Sequence, residues 1–156
     1  MTDLVPAGFT VPRTLAAEGF RLEPLGEQHN TSDLLAWTSS IDHIHATPGW
    51  TGTWPPGEGM SPEQNLADLR RHAADFEARR SFAYTVLESP GDAVVGCVYI
   101  HPDRTDPSVT KVSSWVRADR AELDAVLYRT VSDWLAAEWP LGEIRYAPRP
   151  SAPERP

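Results

Sequence analysis

Residues suited to binding a positively charged amine lie close together in the first third of the chain. Asp42, His43 and His45 come at the predicted end of a helix, and Trp50 and Trp54 follow in the next loop. A carboxylate attracts a cation, indole rings hold one by cation–π contact, and a histidine near pH 7 can take a proton from an ammonium group. The pattern predicts an amine-binding site. The alternative is that the histidines are solvated at a helix end and the tryptophans fix the loop.

Other reactive side chains do not form a second candidate centre. His43 and His45 lack a clear third ligand nearby, so no metal site is predicted. Cys97 is the single cysteine, which excludes a disulfide framework and a cysteine-based metal cluster. Ser113 and Ser114 do not lie in a Gly-x-Ser-x-Gly turn, so a hydrolase triad is unsupported. The sequence alone therefore identifies no catalytic residue.

Length and charge exclude several classes of protein. The chain has 156 residues, which is enough for one domain with its own core. Its 14 lysines and arginines stand against 22 aspartates and glutamates, a formal net charge of −8, so binding to nucleic acid or to anionic membranes is not expected. No apolar run reaches the length of a membrane span, and the first residues do not form a signal peptide. We therefore expect a soluble, cytoplasmic protein.

The spacing of apolar residues predicts an α+β domain. Five strands are expected, over 20–25, 82–87, 93–101, 109–117 and 144–146. Three helices are expected, one between the capping cluster 30–33 and Thr47, one from Ser61 onward, and one over 120–138 capped by Asp119. Three consecutive strands favour antiparallel pairing, and the last strand follows a crossover helix. It should therefore pair in parallel with strand 109–117.

The domain is predicted to cover residues 20–146. Residues 1–19 contain scattered prolines and glycines and are expected to form an irregular lead-in. Residues 147–156 contain four prolines, which fit neither a helix nor a central strand, so a disordered tail is expected there.

The order of elements resembles that of the GCN5-related N-acetyltransferase (GNAT) superfamily. The resemblance rests on Phe20–Leu25, Phe82–Leu87, the turn at Gly91, Val94–Ile100 and Ser114–Arg117. It covers about residues 18–146 and implies a mixed, mostly antiparallel sheet with flanking helices. It also implies transfer of an acetyl group from acetyl-CoA to an amine, by direct attack of the amine on the thioester. The superfamily usually continues past its fifth strand, so the fold is expected to look truncated there, and a homodimer would cover the exposed edge.

The resemblance further implies where acetyl-CoA would bind. The strand edge Ser114, Trp115, Val116 and Arg117 would contact the pantetheine arm through backbone groups. The alternative is an ordinary strand with Trp115 in the core.

The pyrophosphate of the cofactor is the point at which this sequence departs from the superfamily, which holds it with a glycine-rich turn at a helix N-terminus. Residues 117–124 contain no glycine and three carboxylates, whose negative charge would repel a pyrophosphate. Arg117 and Arg120 could compensate for that charge, and they are therefore the candidate phosphate ligands. Two functions therefore stay open: an acetyltransferase acting on a small amine, and a catalytically inactive relative that binds a small ligand or serves as a dimeric interaction module.

Overall fold

A six-stranded sheet, with its strands in chain order, forms the centre of the molecule. The computed structural model describes residues 4–149. The strands are β1 (Leu15–Ala16), β2 (Phe20–Pro24), β3 (Phe82–Glu88), β4 (Val94–Pro102), β5 (Thr110–Val116) and β6 (Ile144–Tyr146). Successive strands pair antiparallel from β1 to β5, and β6 pairs in parallel with β5. The predicted α+β class, antiparallel meander and parallel last strand are confirmed. The short β1 lies within the segment that was expected to be irregular.

Residues 4–149 contain four α-helices, one more than the sequence predicts. They are α1 (Asn30–Thr38), α2 (Ile41–His45), α3 (Pro62–Glu77) and α4 (Leu123–Glu138). The predicted first helix is divided because Ser39 Oγ donates a hydrogen bond back to the carbonyl of Ala36 at 2.9 Å, and such local bonds compete with helix continuation. None of the helices within residues 4–149 has the length and hydropathy needed to cross a membrane.

The start of α3 agrees with the sequence and the start of α4 does not. Ser61 Oγ accepts a hydrogen bond from the Gln64 amide at 3.1 Å, and Gln64 Oε1 accepts one from the Ser61 amide at 2.9 Å. This is the predicted capping box. In contrast, Asp119 does not cap α4, because its carboxylate accepts two hydrogen bonds from Arg117. A 3-10 turn over Ala118–Arg120 precedes the helix, which begins at Leu123.

The sheet separates two apolar clusters. Val112 and Val116 of β5 belong to the cluster that includes α4, and Trp115 between them belongs to the cluster that includes Trp37 of α1. This alternation follows from the two-residue repeat of a strand. The loop between α2 and α3 packs on the second cluster through Trp50, so this loop lies on the face that carries Trp115.

Gly96 of β4 allows a close approach to β5. It lies opposite Val116, and a Cβ atom at this position would overlap the carbonyl oxygen of Trp115. We expect Gly96→Ala to destabilise the fold by about 1–3 kcal/mol, since β5 must shift to admit the methyl group. Urea denaturation measures the change. Gly57→Ala is the control, because no described atom lies within 4 Å of its Cβ position. Equal stability of the two variants would contradict this expectation.

Candidate functional site

The loop between α2 and α3 is held in place by its own polar groups. Trp50 Nε1 donates a hydrogen bond to the Trp54 carbonyl at 2.9 Å, and the two rings lie 5.9 Å apart. His45 Nε2 lies 2.7 Å from the carbonyl oxygen of Pro55, which links the end of α2 to the loop. These contacts orient both indoles toward the body of the domain.

Trp50 and Trp54 line a cavity of about 310 Å³ between the loop, α1, α3 and β4. Tyr99 of β4 and His72 of α3 line it as well, with their rings 5.7 Å apart. The volume lies at the small end of the range for small-molecule sites, roughly 300–1,000 Å³. Trp50 and Trp54 thus line one cavity, and their use in binding an amine stays a prediction.

The other three residues of the predicted amine site do not line this cavity. Asp42 and His45 on α2 are exposed, and His43 is half-buried. His45 contributes indirectly, because its contact with Pro55 helps to fix the loop. The structure thus brings the two tryptophans together and leaves the charged residues of α2 outside. Binding of a ligand by Asp42, His43 or His45 stays a prediction.

A different carboxylate, Asp33 of α1, faces the cavity. It is 4% exposed, and Asn65 Nδ2 donates a hydrogen bond to its Oδ2 at 3.1 Å. The Asn65 side chain is itself oriented by Trp37, whose Nε1 donates to Asn65 Oδ1 at 3.0 Å. Burial raises the pKa of Asp33 to about 6. Its sequence position in a cluster of capping residues gave no sign of this role, because the burial arises from packing of α3 against α1.

The remaining charges at the cavity largely cancel. Arg71 Nη1 donates to Asp68 Oδ1 at 3.0 Å. His72 has a lowered pKa, chiefly because burial disfavours its charged form and secondarily because of Arg71. Asp33 has no basic partner within salt-bridge distance among residues 4–149. It is therefore the carboxylate at this site whose charge is not compensated within the described chain.

A second group of polar contacts lies at the edge of β5. Strands β5 and β6 pair only over residues 110–112 and 144–146, and beyond this pairing the side chain of Arg149 occupies the space beside β5. Its Nη2 donates a hydrogen bond to the Ser114 carbonyl at 2.8 Å, its Nη1 to the Ala147 carbonyl at 2.8 Å, and its Nε to Asp124 Oδ2 at 2.9 Å. The Arg149 side chain is 2% exposed.

These contacts extend ordered structure to Arg149, three residues past the predicted end of the domain. The rest of the predicted tail lies outside the described residues. Tyr146 also contributes, since its hydroxyl lies 2.6 Å from Ser114 Oγ and burial raises its pKa to about 12. The carbonyl oxygen and the hydroxyl group of Ser114 are thus both hydrogen-bonded within the chain, to Arg149 and Tyr146 respectively. No motif marked Arg149 beforehand, because it lies in a proline-rich segment.

The cavity and the edge of β5 meet at Ser113. This residue lines the cavity with Trp50 and Tyr99, and it also lines a groove beside β6 with Tyr146 and Ala147. Because side chains alternate along a strand, Ser113 faces the cavity while the neighbouring Ser114 faces Arg149. A ligand in the cavity would therefore lie beside the part of β5 that carries the Ser114 carbonyl.

Comparison with known proteins identifies the fold. No family model matches the sequence, and no curated protein matches it. The ribosomal-protein-S5-alanine acetyltransferase of Vibrio fischeri is 12% identical, with 78% of this chain and 66% of that chain aligned at a TM-score of 0.59. An acetyltransferase of the GNAT family from Bacillus anthracis is 12% identical, with 85% and 72% aligned at a TM-score of 0.59. The chain has the GNAT acetyltransferase fold.

A third structure with the GNAT fold was solved with a bound acyl donor. The microcin C7 self-immunity acetyltransferase, in complex with acetyl-CoA and AMP, is 9% identical, with 79% of this chain and 67% of that chain aligned at a TM-score of 0.57. The present chain thus spans about two thirds of the length of the Vibrio fischeri and microcin proteins. At these identities the likeness concerns the fold.

The residues that the GNAT resemblance assigns to the pantetheine arm differ in their surroundings. Trp115 is fully buried, and its Nε1 donates a hydrogen bond to the Tyr99 hydroxyl at 3.0 Å, so its side chain belongs to the core. Val116 is also buried, and the Ser114 carbonyl is bonded to Arg149. The backbone role that the resemblance implies for these residues stays a prediction.

The two arginines that the GNAT resemblance points to as phosphate ligands are each paired with a carboxylate. Arg117 makes two hydrogen bonds to Asp119, at 2.9 and 2.8 Å, and Arg120 forms an ion pair with Glu88. In addition, the Ala118 amide donates to Ser40 Oγ at 2.8 Å. A phosphate at this turn would have to compete with these partners.

Proposed function

We propose that this chain is an N-acetyltransferase that takes the acetyl group from acetyl-CoA and transfers it to an amine held in the Trp50/Trp54 cavity. The proposal is supported by the GNAT fold, since the structures compared above are acetyltransferases and one contains acetyl-CoA. It is carried by one observation of this chain. A cavity of small-molecule size, with the buried carboxylate of Asp33 in its wall, extends to Ser113, which lies on the strand that would hold the donor.

The cavity supplies the groups that an amine acceptor requires. Acetyl-CoA, when bound, supplies an activated acyl group as a thioester. The chain must hold the amine, exclude water from it and remove a proton from its ammonium form. His72 lines the cavity, and its lowered pKa keeps it neutral at pH 7. A neutral imidazole can accept that proton, although the lowered pKa makes His72 a weaker base than an exposed histidine.

The donor side does not fit acetyl-CoA in this conformation. The Ser114 carbonyl already accepts a hydrogen bond from Arg149. Arg117 and Arg120 of the neighbouring turn are each paired with a carboxylate. Donor binding would require the guanidinium of Arg149 to leave its place. These contacts favour a second candidate function, in which the chain binds an amine without transferring an acetyl group to it.

The acceptor class extends beyond small molecules. The Vibrio fischeri protein is named for acetylation of an alanine of ribosomal protein S5. A small amine and a protein N-terminus both present an ammonium group, and a cavity of about 310 Å³ would admit either a small amine or a single terminal residue. Candidate acceptors should therefore include a peptide with N-terminal alanine.

Thermal unfolding with millimolar acetyl-CoA, followed by an assay for thiol release with a panel of amines, tests the two candidates. A donor present at 100 times its Kd should stabilise the fold by about 2.7 kcal/mol, and thiol release should depend on the added amine. Absence of both effects would contradict the transferase and leave the binding function.

Two glutamates at opposite ends of α4 test whether the phosphates of acetyl-CoA bind at the start of this helix. Glu122→Gln removes a carboxylate beside the helix N-terminus. It should tighten acetyl-CoA binding by up to about fivefold if the phosphates lie there, because repulsion between exposed charges is about 0.2–1 kcal/mol. Glu138→Gln, at the other end of α4, should leave the affinity unchanged. Equal effects of both variants would place the phosphates elsewhere.

A further inference from the structure

We propose that the Trp50/Trp54 cavity binds a monovalent organic cation, a protonated primary amine with an apolar substituent, and that the Asp33 carboxylate neutralises its charge. This inference deepens the proposed function by naming the class of acceptor, and it rests on that function for the role of the cation as an acceptor. Binding of the cation itself needs no acyl donor. A direct binding experiment therefore separates a failure of this inference from a failure of acetyl transfer.

The first argument concerns the charge of Asp33. A buried ionised carboxylate is costly unless it is paired with a cation or fully hydrogen-bonded. Asp33 is 4% exposed, and within residues 4–149 the one side chain that donates to its carboxylate is the neutral amide of Asn65. An ammonium group in the cavity would supply the missing counter-charge and further hydrogen bonds.

The second argument concerns the other charges that face Asp33. Asp68 and Arg71 form an ion pair with each other at 3.0 Å, so neither neutralises Asp33. The titratable and charged groups around Asp33, on the elements that surround it, are Asp68, Arg71, His72, Cys97, Tyr99 and His101. With His72 neutral, because burial lowers its pKa, and with Asp33 ionised, no cationic side chain that the structure describes at the cavity compensates the Asp33 charge. A monovalent cation matches this charge, and an anion does not.

The third argument concerns the walls. The ring centres of Trp50 and Tyr99 are 6.1 Å apart, and those of Trp50 and Trp54 are 5.9 Å apart. Aromatic faces attract a cation most strongly where water is excluded. Leu69 also lines the cavity, so an apolar substituent on the amine would contact a matching surface. The walls therefore favour an organic ammonium ion over a hydrated metal ion.

Asp33 also has a structural contact that a test must preserve. It connects α1 to α3 through Asn65, so a large substitution would disturb the packing of both helices. Asp33→Asn keeps the size of the side chain and retains an oxygen that accepts from Asn65, while it removes the charge. Asp133→Asn, on the exposed face of α4, is the matched control for the loss of a carboxylate.

Calorimetric titration at pH 7 with two amines and their isosteric alcohols tests the inference. The pairs are butylamine with 1-butanol, and 2-phenylethylamine with 2-phenylethanol. At least one amine should bind about tenfold or more tightly than its alcohol, which corresponds to about 1.4 kcal/mol. Asp33→Asn should abolish that preference, and Asp133→Asn should keep it. The absence of an amine preference in both pairs, or its survival in Asp33→Asn, would overturn the proposal.

The pH dependence of binding provides an independent readout. Because the pKa of Asp33 is about 6, its ionised fraction falls on going from pH 7 to pH 5, and amine affinity should fall about tenfold with it. Protonation of His72 also weakens cation binding, and the Asp33→Asn variant retains that contribution. The fall in affinity should therefore be steeper in the wild type than in Asp33→Asn. Equal slopes would overturn the proposal.

Discussion

Arg149→Met is expected to destabilise the fold by about 3–5 kcal/mol, the cost of removing one member of a buried ion pair. The Arg149 side chain is 2% exposed, and its partner Asp124 is 20% exposed. The substitution leaves the Asp124 carboxylate without its cation and the Ser114 carbonyl without its donor. Urea denaturation of both proteins measures the difference in the free energy of unfolding.

Two further variants separate the ion pair from a general loss of charge. Arg70→Met removes an arginine whose pair with Glu27 is largely exposed, and it should cost less than about 1 kcal/mol. The double variant Arg149→Met with Asp124→Leu removes both charges. It should recover the part of the lost stability that comes from the unpaired Asp124 carboxylate, because an apolar replacement for a buried pair is often close to neutral. The Ser114 carbonyl still lacks its donor in this variant, so a smaller loss remains. Additive losses in the double variant would contradict the assignment of this pair as the source of the effect.

The double variant also tests which of the two candidate functions the chain has. It frees the Ser114 carbonyl while the fold stays stable enough to assay. If acetyl-CoA uses this strand edge, the double variant should bind acetyl-CoA more tightly than the wild type, because the bound conformation no longer requires Arg149 to leave. Equal affinity in the two proteins would mean that acetyl-CoA does not use this strand edge, and absence of binding in both would favour the amine-binding function without transfer.

The fold could be predicted from the sequence because its signals are local. The alternation in 20–25, the apolar run in 93–101, the capping box at Ser61 and the crossover before β6 are signals of this kind, and the structure agrees with them. The predicted start of α4 was wrong because the Asp119 carboxylate could either cap the helix or pair with a nearby arginine. It pairs with Arg117, two residues away, instead of capping the helix.

The candidate site could be predicted only in part, because it is assembled from distant segments. Trp50 and Trp54 were recognisable as large aromatic residues in a glycine- and proline-rich loop. Asp33 was not, since its burial arises from the packing of α3 on α1, where its hydrogen-bond donor Asn65 lies thirty-two residues later. Arg149 was missed for a related reason. Its partners Ser114 and Asp124 lie 35 and 25 residues earlier, and no spacing rule connects them.

Trp115→Ala should both destabilise the fold and weaken amine binding. Trp115 is fully buried, and its ring centre lies 6.2 Å from that of Trp54, so it supports one wall of the cavity from behind. Truncation of a buried tryptophan to alanine costs about 3–5 kcal/mol. It also lets Trp54 move, which should lower the affinity for the amine measured by calorimetric titration.

Two other tryptophan variants show whether the effect on binding is specific to this wall. Trp115→Phe keeps most of the apolar volume but leaves the Tyr99 hydroxyl without its donor, so it should cost about 1–3 kcal/mol and keep part of the amine affinity.

Trp134→Ala removes a buried tryptophan that packs on Tyr84 in the other cluster. It should cost as much stability as Trp115→Ala, because both side chains are buried in well-packed clusters. Since Trp134 does not contact the cavity, amine affinity should survive that loss. Equal loss of affinity in both alanine variants would mean that binding follows global stability, and that Trp115 does not position the cavity.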